Sequence, residues 1–437
     1  MSDIKSKLLD MLAGKGVMRG SEWRDRLARI EAERQSGAHE IDKVVPGRAV
    51  TTETGAFYHV CENHPLEFRQ GAVSLRAALD AQPEHVALAG CDAELGGFNP
   101  RTTLFIDTET TGLAGGAGTV AFLIGAGRFQ DDCFQLEQCF MRDFDEEEPM
   151  LDHLTGLFEQ CETVVSYNGK SFDLPLLRSR FIANRRRFPL ENAVHYDLLH
   201  AARRFWKLRL KDCSLGHVEE AVLGLQRQGD IPSALIPQIW LDYLRDRDAR
   251  KLGRVFYHHK MDILSLAALT GLLGHALAAP HGEGFEHAED RLALMRIHFR
   301  QKRYADAAEN GRRLLTSSPP ERVRRECLWL TALSLKRLGR YSEMAKHLDE
   351  LLRQAPRDFD ARRELAKYYE HRARDLARAE RLCVETLQLL DTCEALGRAA
   401  GFGAGQREAF SHRLQRVRGK LRREGKSRPA VDPPDAW

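Results

Sequence analysis

The residues with most chemical potential in this 437-residue chain are Asp107 and Glu109, in Phe105-Ile106-Asp107-Thr108-Glu109-Thr110-Thr111-Gly112-Leu113. The residues from Thr103 to Ile106 are β-formers, so Asp107 is expected at the end of a buried strand. The strand period of two then puts both carboxylates on one face. Two unpaired carboxylates side by side raise each other's pKa and cost stability, and a divalent cation between them removes that cost. The plainer reading is a strand end followed by a polar turn. Two further acids tell against it. Asp173 stands in Tyr167-Asn168-Gly169-Lys170-Ser171-Phe172-Asp173, and Asp262 in Tyr257-His258-His259-Lys260-Met261-Asp262. Taken alone, Asp173 reads as a helix N-cap, with Pro175 tolerated in the first turn. Asp262 is followed by Ile263, Leu264 and Leu266, which read as a buried helix face where an acid needs a partner. His258 lies one helical turn before it, on the same side.

The elements that must position these residues alternate between strand and helix. Strands are expected at 103–107, 119–127, 133–141, 163–167 and 193–197, and helices at 147–159, 174–183 and from 197 to 206. This pattern predicts an α/β domain, a mixed five-stranded sheet flanked by helices, with its site at the carboxyl ends of the strands. The glycine-rich connection at 112–118 lacks the ending of a phosphate-binding loop and precedes a strand, so it reads as a hairpin turn. Asp197 ends a strand before a helix and reads as an N-cap rather than a fifth site acid. His195 and His200 read as structural.

The whole chain is 43% hydrophobic and 30% charged, the balance of a soluble globular protein with two or three domains. A net charge of +3 sets up no global basic field, so any nucleic-acid surface must be local. Arg185-Arg186-Arg187 and the run from Arg203 to Lys211 offer such surface, with Trp206 read as core and some of the arginines as phosphate contacts. The nine cysteines are odd in number and include no CxxC pair, which argues against a disulfide framework or a structural zinc site and fits a reducing cytoplasm. The first residues mix Asp3, Lys5, Lys7 and Asp10 with apolar ones, unlike a signal peptide. No run is expected to reach the roughly 18 apolar residues a membrane helix needs.

Asp-x-Glu on a first strand, Asn-x-x-x-x-Asp after a fourth strand and His-x-x-x-Asp in a late helix together resemble the DEDD exonuclease superfamily of the ribonuclease H fold. His195-Tyr196-Asp197-Leu198-Leu199-His200, Cys213-Ser214-Leu215 and Asp230-Ile231-Pro232 with Ile236-Pro237 are similar to the YprB-type ribonuclease-H-like family, over about Gly47 to Leu273. The resemblance implies metal-dependent phosphodiester hydrolysis, with Asp107, Glu109, Asp173 and Asp262 holding two Mg²⁺ or Mn²⁺ ions. It further implies a 3′→5′ exonuclease on single-stranded DNA or RNA ends. Thr110, Gly112, Asn168, Arg203 and Arg204 are the residues expected to meet the nucleic acid. Superfamily members place a His five residues before the last Asp or a Tyr four before it; here Tyr257 and His258 exchange those places. His258 is the expected general base because its intrinsic pKa is near neutral, leaving Tyr257 to pack beneath the strand and His259 to face solvent.

From Glu289 onward strand patterns vanish. Arg303-Tyr304-Ala305-Asp306-Ala307-Ala308 resembles Arg340-Tyr341-Ser342-Glu343-Met344-Ala345, and Ala379 continues the phase, at intervals of 37 and then 34 residues. The second interval is the tetratricopeptide (TPR) period, so an all-α TPR-like repeat domain is expected, either binding a protein partner or acting as a buttress. The expected layout is a helical segment at 1–46, a hairpin-containing extension at 47–98, the nuclease domain at 99–280, repeats at 285–400 and a basic tail at 401–437. The rival functional readings are a scaffold that works through its repeats and an endonuclease.

Overall fold

The computed structural model describes residues 39–112, 118–396 and 404–426. Most of the helical segment expected at 1–46 lies outside these residues, as do Gly115 and Gly116 of the glycine-rich connection. The chain forms two compact units. One runs to Arg204 and includes Asp212–Ala278; the other comprises Phe205–Lys211 and everything from Ala279.

The first unit is built on one sheet. The strands are β1 (Arg48–Thr52), β2 (Gly55–Pro65), β5 (Thr103–Thr110), β6 (Ala121–Gln130), β7 (Cys133–Phe140), β8 (Thr163–Ser166) and β9 (Val194–Asp197), with a small separate pair, β3 (Arg69–Gln70) and β4 (Val73–Ser74). They are ordered β1-β2-β7-β6-β5-β8-β9, with β5, β8 and β9 parallel and the remaining neighbours antiparallel. The five expected strands are the middle and one side of this sheet. The hairpin β1–β2 extends it to seven strands by pairing along β7, so the segment before residue 99 is continuous with the α/β sheet.

Helices cover both faces: α1 (Pro83–Gly90), α2 (Glu147–Phe158), α3 (Asp173–Ala183), α4 (Leu198–Trp206), α5 (Ile236–Asp246) and α6 (Leu252–Ala278). Phe122 of β6 stacks on Trp240 of α5, ring centroids 4.8 Å apart, and the indole N–H is satisfied by the Met141 carbonyl at 2.9 Å. Helix α6 crosses the other face of β6 at Gly125 and Gly127. A side chain at Gly125 would strike Ile263 and His259 of α6, and one at Gly127 would strike Ile263 and Phe134. These two glycines cut the trough in which α6 lies close to the sheet. This helix also corrects the expectation about apolar runs: it has the length and, with a mean hydropathy of 1.5, the composition of a membrane span. Of that apolar window 78% is buried inside the unit, as suits the central helix of an α/β domain.

The second unit is all helical: α7 (Ala288–Arg300), α8 (Tyr304–Thr316), α9 (Glu321–Arg337), α10 (Tyr341–Gln354), α11 (Phe359–His371), α12 (Leu376–Ala395) and α13 (Ala404–Lys426). Ala308, Ala345 and Ala379 sit near the starts of α8, α10 and α12 and are buried in one core with Leu328, Leu335 and Leu348. The basic run of α13 is partly consumed internally. Arg413, Arg416 and Lys420 converge on the buried Glu370, whose carboxyl is held at about 2 chiefly by the Arg416 hydrogen bond.

Gly125→Ala is expected to destabilise the protein by about 1–3 kcal/mol, the range for overpacking a filled core. Urea denaturation measures it, and an unchanged midpoint would show that α6 does not depend on the trough.

Candidate active site

The sequence places Asp107 at a strand end, but β5 continues to Thr110, so Asp107 and Glu109 both lie within the strand. Thr108 and Thr110 alternate with them, both buried, and prolong the pairing with β6 as far as an irregularity between Glu109 and Thr110. Asp107 is opposite Gly125. That register sets its backbone carbonyl under the fully buried His259 of α6, whose Nε2 donates to it at 3.0 Å. His259 Nδ1 accepts from the Gln138 amide at 2.9 Å, and the same amide donates to the Phe256 carbonyl at 3.0 Å. Burial lowers the His259 pKa to about 4, so the ring is neutral with its proton on Nε2. His259 therefore does not face solvent. It fixes α6 over β5.

With His259 locked, its neighbours on the helix are aimed. Asp262 and His258 come to the site one turn apart, His258 Nε2 standing 3.4 Å from Asp262 and 4.0 Å from Glu109. Asp173 arrives from the other side. Strand β8 ends at Ser166, and the following loop returns the chain to the first residue of α3. Asp197 of β9 shapes that loop by accepting the backbone N–H groups of Asn168 at 2.9 Å and Lys170 at 3.1 Å, besides that of Leu199 at 3.0 Å. Asn168 takes a positive φ of 69° there, a conformation Asn tolerates. Asp173 is the first residue of α3, and its Oδ1 accepts the Thr108 hydroxyl at 2.5 Å. Asp173 is thus tied to β5, while Asp197 is occupied by backbone N–H groups. His195 is structural too, bonded to the Ser166 hydroxyl at 2.7 Å, and burial lowers it to about 4.

The four acids share one field. Asp107 and Glu109 are pushed well above the ordinary carboxylate range, first by burial and then by the charges of Asp262 and Asp173. Asp173 is raised to about 6, chiefly by burial, with the Thr108 hydrogen bond opposing. Asp173 is buried and the other three half-buried; these mutually repelling oxygen donors fit a hard divalent cation such as Mg²⁺ or Mn²⁺, and single ligand atoms of Glu109, Asp262 and His258 lie within 4.8 Å of one another.

The loop between Cys213 and Leu235 supplies residues that sequence reasoning did not assign. Arg227 donates to both oxygens of the buried Glu219 and to Asp262 Oδ1. Burial works against its charge, but Asp262 and Glu219 outweigh that, and its pKa is raised. Asp230 accepts from His258 Nδ1 at 2.9 Å, which leaves Nε2 as the acceptor; the Ser233 hydroxyl, 3.2 Å away, marks that direction. Asp230 is held below its ordinary value despite burial, by the Ile231 N–H and His258. The only sequence signal for it was the Asp230-Ile231-Pro232 triplet.

The expected nucleic-acid residues are scattered. Thr110 is buried with its hydroxyl on the Gly112 carbonyl at 3.1 Å, while none of the described residues crowds Gly112. Asn168 and Arg203 are exposed. Arg204 donates to the Ala89 carbonyl at 3.0 Å. Of the arginine triplet, Arg186 is paired with Asp152 and Glu148, while Arg185 and Arg187 are exposed.

Residues 104–273 match the model of the RNase_H superfamily. A relative, the uncharacterized protein YprB of Bacillus subtilis (strain 168), is 31% identical over 296 residues, 67% of this chain and 70% of the relative. The chain belongs to the ribonuclease H superfamily. The region matched by the superfamily model contains β5 to β9 and most of α6, and with them all four clustered acids, Arg227, Asp230 and His258. Membership supports a nuclease-type hydrolase with divalent metals and a nucleic-acid substrate.

The raised acids have a stability consequence. A carboxyl whose folded pKa is raised stabilises the fold fully below its unfolded value and loses that contribution as pH rises through the folded one. For Asp173 the window runs from 3.8 to about 6. In EDTA, Asp173→Asn should match the wild type near the bottom of that window and exceed it by about 0.5–2 kcal/mol at neutral pH. Denaturant melts at several pH values read this, and a variant less stable at neutral than at acid pH, relative to wild type, contradicts it.

Proposed function

We propose that this chain is a metal-dependent nuclease of the DEDD type, hydrolysing phosphodiester bonds 3′→5′ from single-stranded ends. The observation that carries the reading is His258: Nδ1 tied to Asp230 at 2.9 Å, and Nε2 turned toward Glu109 and Asp262. In this reading Asp107, Glu109, Asp173 and Asp262 would hold two Mg²⁺ or Mn²⁺ ions. Bound there, such ions supply a polarised water and neutralise charge on the leaving oxygen. His258 Nε2 takes the proton of the attacking water, and Asp230 keeps the ring in the accepting tautomer and steadies the imidazolium that results. Arg227 holds one oxygen of Asp262, leaving the other toward the site, and so fixes the carboxylate's orientation. The exposed Arg203, with Asn168 on the loop before Asp173, is the proposed nucleic-acid contact, with Thr110 and Gly112 shaping the neighbouring turn.

In the second unit the buried alanines at the matching starts of α8, α10 and α12 support TPR-like repeats, with a protein partner as their ligand. A groove of about 520 Å³ lined by Lys336, Tyr341, Glu364, Lys367, Tyr368 and Arg372 is the proposed place for such a partner. The nine cysteines, none of them in a disulfide, support the cytoplasmic assignment.

The test is cleavage of end-labelled linear and of circular single-stranded DNA and RNA, with Mn²⁺ or with EDTA. Linear substrates should shorten stepwise, only with metal, and not with Asp107→Ala. Lack of metal-dependent cleavage of every substrate would favour the scaffold reading, and cleavage of circles the endonuclease. His258→Ala is expected to lower kcat about 10²–10⁴-fold, the usual range for a lost general base. Asp230→Asn should lower it about 10–100-fold with KM nearly unchanged, as loss of an orienting partner does. If His258→Ala keeps wild-type kcat, the base is another group.

A further inference from the structure

The face of the sheet opposite α6 carries a second cluster. His59 of β2 and Cys139 of β7 are directly paired across the antiparallel ladder, and Glu137, two residues before Cys139, shares their face. Gln138, between them, points the other way to His259. Helix α2 contributes His153. Both imidazoles converge on one oxygen of Glu137, His59 Nε2 at 2.9 Å and His153 Nε2 at 3.0 Å, while Arg128 reaches the other oxygen at 3.2 Å. Single donor atoms of His59, Cys139 and His153 all lie within 4.8 Å of one another. Cys139 is 1% exposed and His59 7%, so this is an interior cluster, with the half-buried His153 at its outer edge.

We propose that His59, Cys139 and His153 bind one zinc-class divalent cation. The donor set decides the class: imidazole and thiolate select Zn²⁺ or Co²⁺, whereas the all-carboxylate cluster on the other face selects Mg²⁺ or Mn²⁺. A tetrahedral ion with bonds of about 2.0–2.3 Å needs its ligand atoms about 3.3–3.8 Å apart, so the donors must close by roughly 1 Å. Rotation of His153 on the outer edge provides that. On binding, the cation takes the place of the Cys139 thiol proton, which passes to solvent. The imidazoles exchange their bonds to Glu137 for bonds to the ion, a water completes the shell, and Glu137 keeps its ion pair with Arg128. The ion would tie the hairpin strand β2, the inner strand β7 and helix α2 together at one point. CxxC spacing is absent because the ligands meet across a strand ladder.

The experiment is a Co²⁺ titration of the full chain in excess Mg²⁺, which occupies the carboxylate cluster. A thiolate-to-cobalt charge-transfer band should saturate at one equivalent, be bleached by Zn²⁺ and be absent in Cys139→Ser, with circular dichroism checking that the variant folds. His153→Gln, altered at the half-exposed helix position, should bind Co²⁺ at least tenfold more weakly. No charge-transfer band in the wild type, the same band in Cys139→Ser, or wild-type affinity in His153→Gln would each overturn the proposal.

Discussion

The contact on which the site depends is the one between His259 and the backbone of β5. A fully buried imidazole bonds a strand carbonyl with one nitrogen and a glutamine of β7 with the other. Both bonds lie in the interior, where an unmade one costs about 1–3 kcal/mol, so the helix cannot slide along the sheet without breaking them. Gly125 makes the contact possible, since any side chain there would occupy the space of the ring. Three residues along α6 from His259 comes Asp262, and one residue back comes His258. Their positions over Asp107 and Glu109 follow from that one lock.

The lock holds together groups that repel. Asp107 and Glu109 are raised by burial and by the charges of Asp262 and Asp173, Asp173 is raised chiefly by burial, and the fold gains nothing from crowding these acids. The surrounding structure offsets the cost in part: Thr108 donates to Asp173, and Arg227 to Asp262. Arg227 is itself buried and is held by Glu219, so its charge is committed to the site. The residual excess of negative charge is what a divalent cation would neutralise. Stability and chemistry are in tension at these positions, as is usual for sites that perturb their acids.

The sequence made the five central strands and the four acids legible because both rest on short-range pattern: alternation within a strand, and an apolar helix face interrupted by one Asp. What it concealed was pairing across long separations. The hairpin β1–β2 was visible as a hairpin, but its attachment to β7 has no local signature. His259 and Gln138 are 121 residues apart, and neither shows its partner in its own neighbourhood. Read by itself, Asp173 gave no sign of its tertiary partner, for a related reason. An Asp ahead of Pro175 looks like a cap, and only the tertiary contact with Thr108 assigns it elsewhere. The apolar stretch of α6 illustrates the limit of composition: burial by protein and burial by lipid ask for the same residues.

The exchange of Tyr257 and His258 relative to the superfamily pattern leaves the proposed base reading of His258 intact, and Asp230 gives the physical reason. A histidine one helical turn before Asp262 already faces the acids, because i and i+4 share a side of the helix. What such a histidine lacks, standing alone, is a fixed tautomer: either nitrogen could carry the proton. Asp230 removes that freedom by accepting from Nδ1, and Arg227 and Ile231 in turn hold the Asp230 carboxylate. The loop between Cys213 and Leu235 is therefore as much a part of the site as the sheet. The strand and helix bring the acids together, and the loop decides which nitrogen of His258 can act.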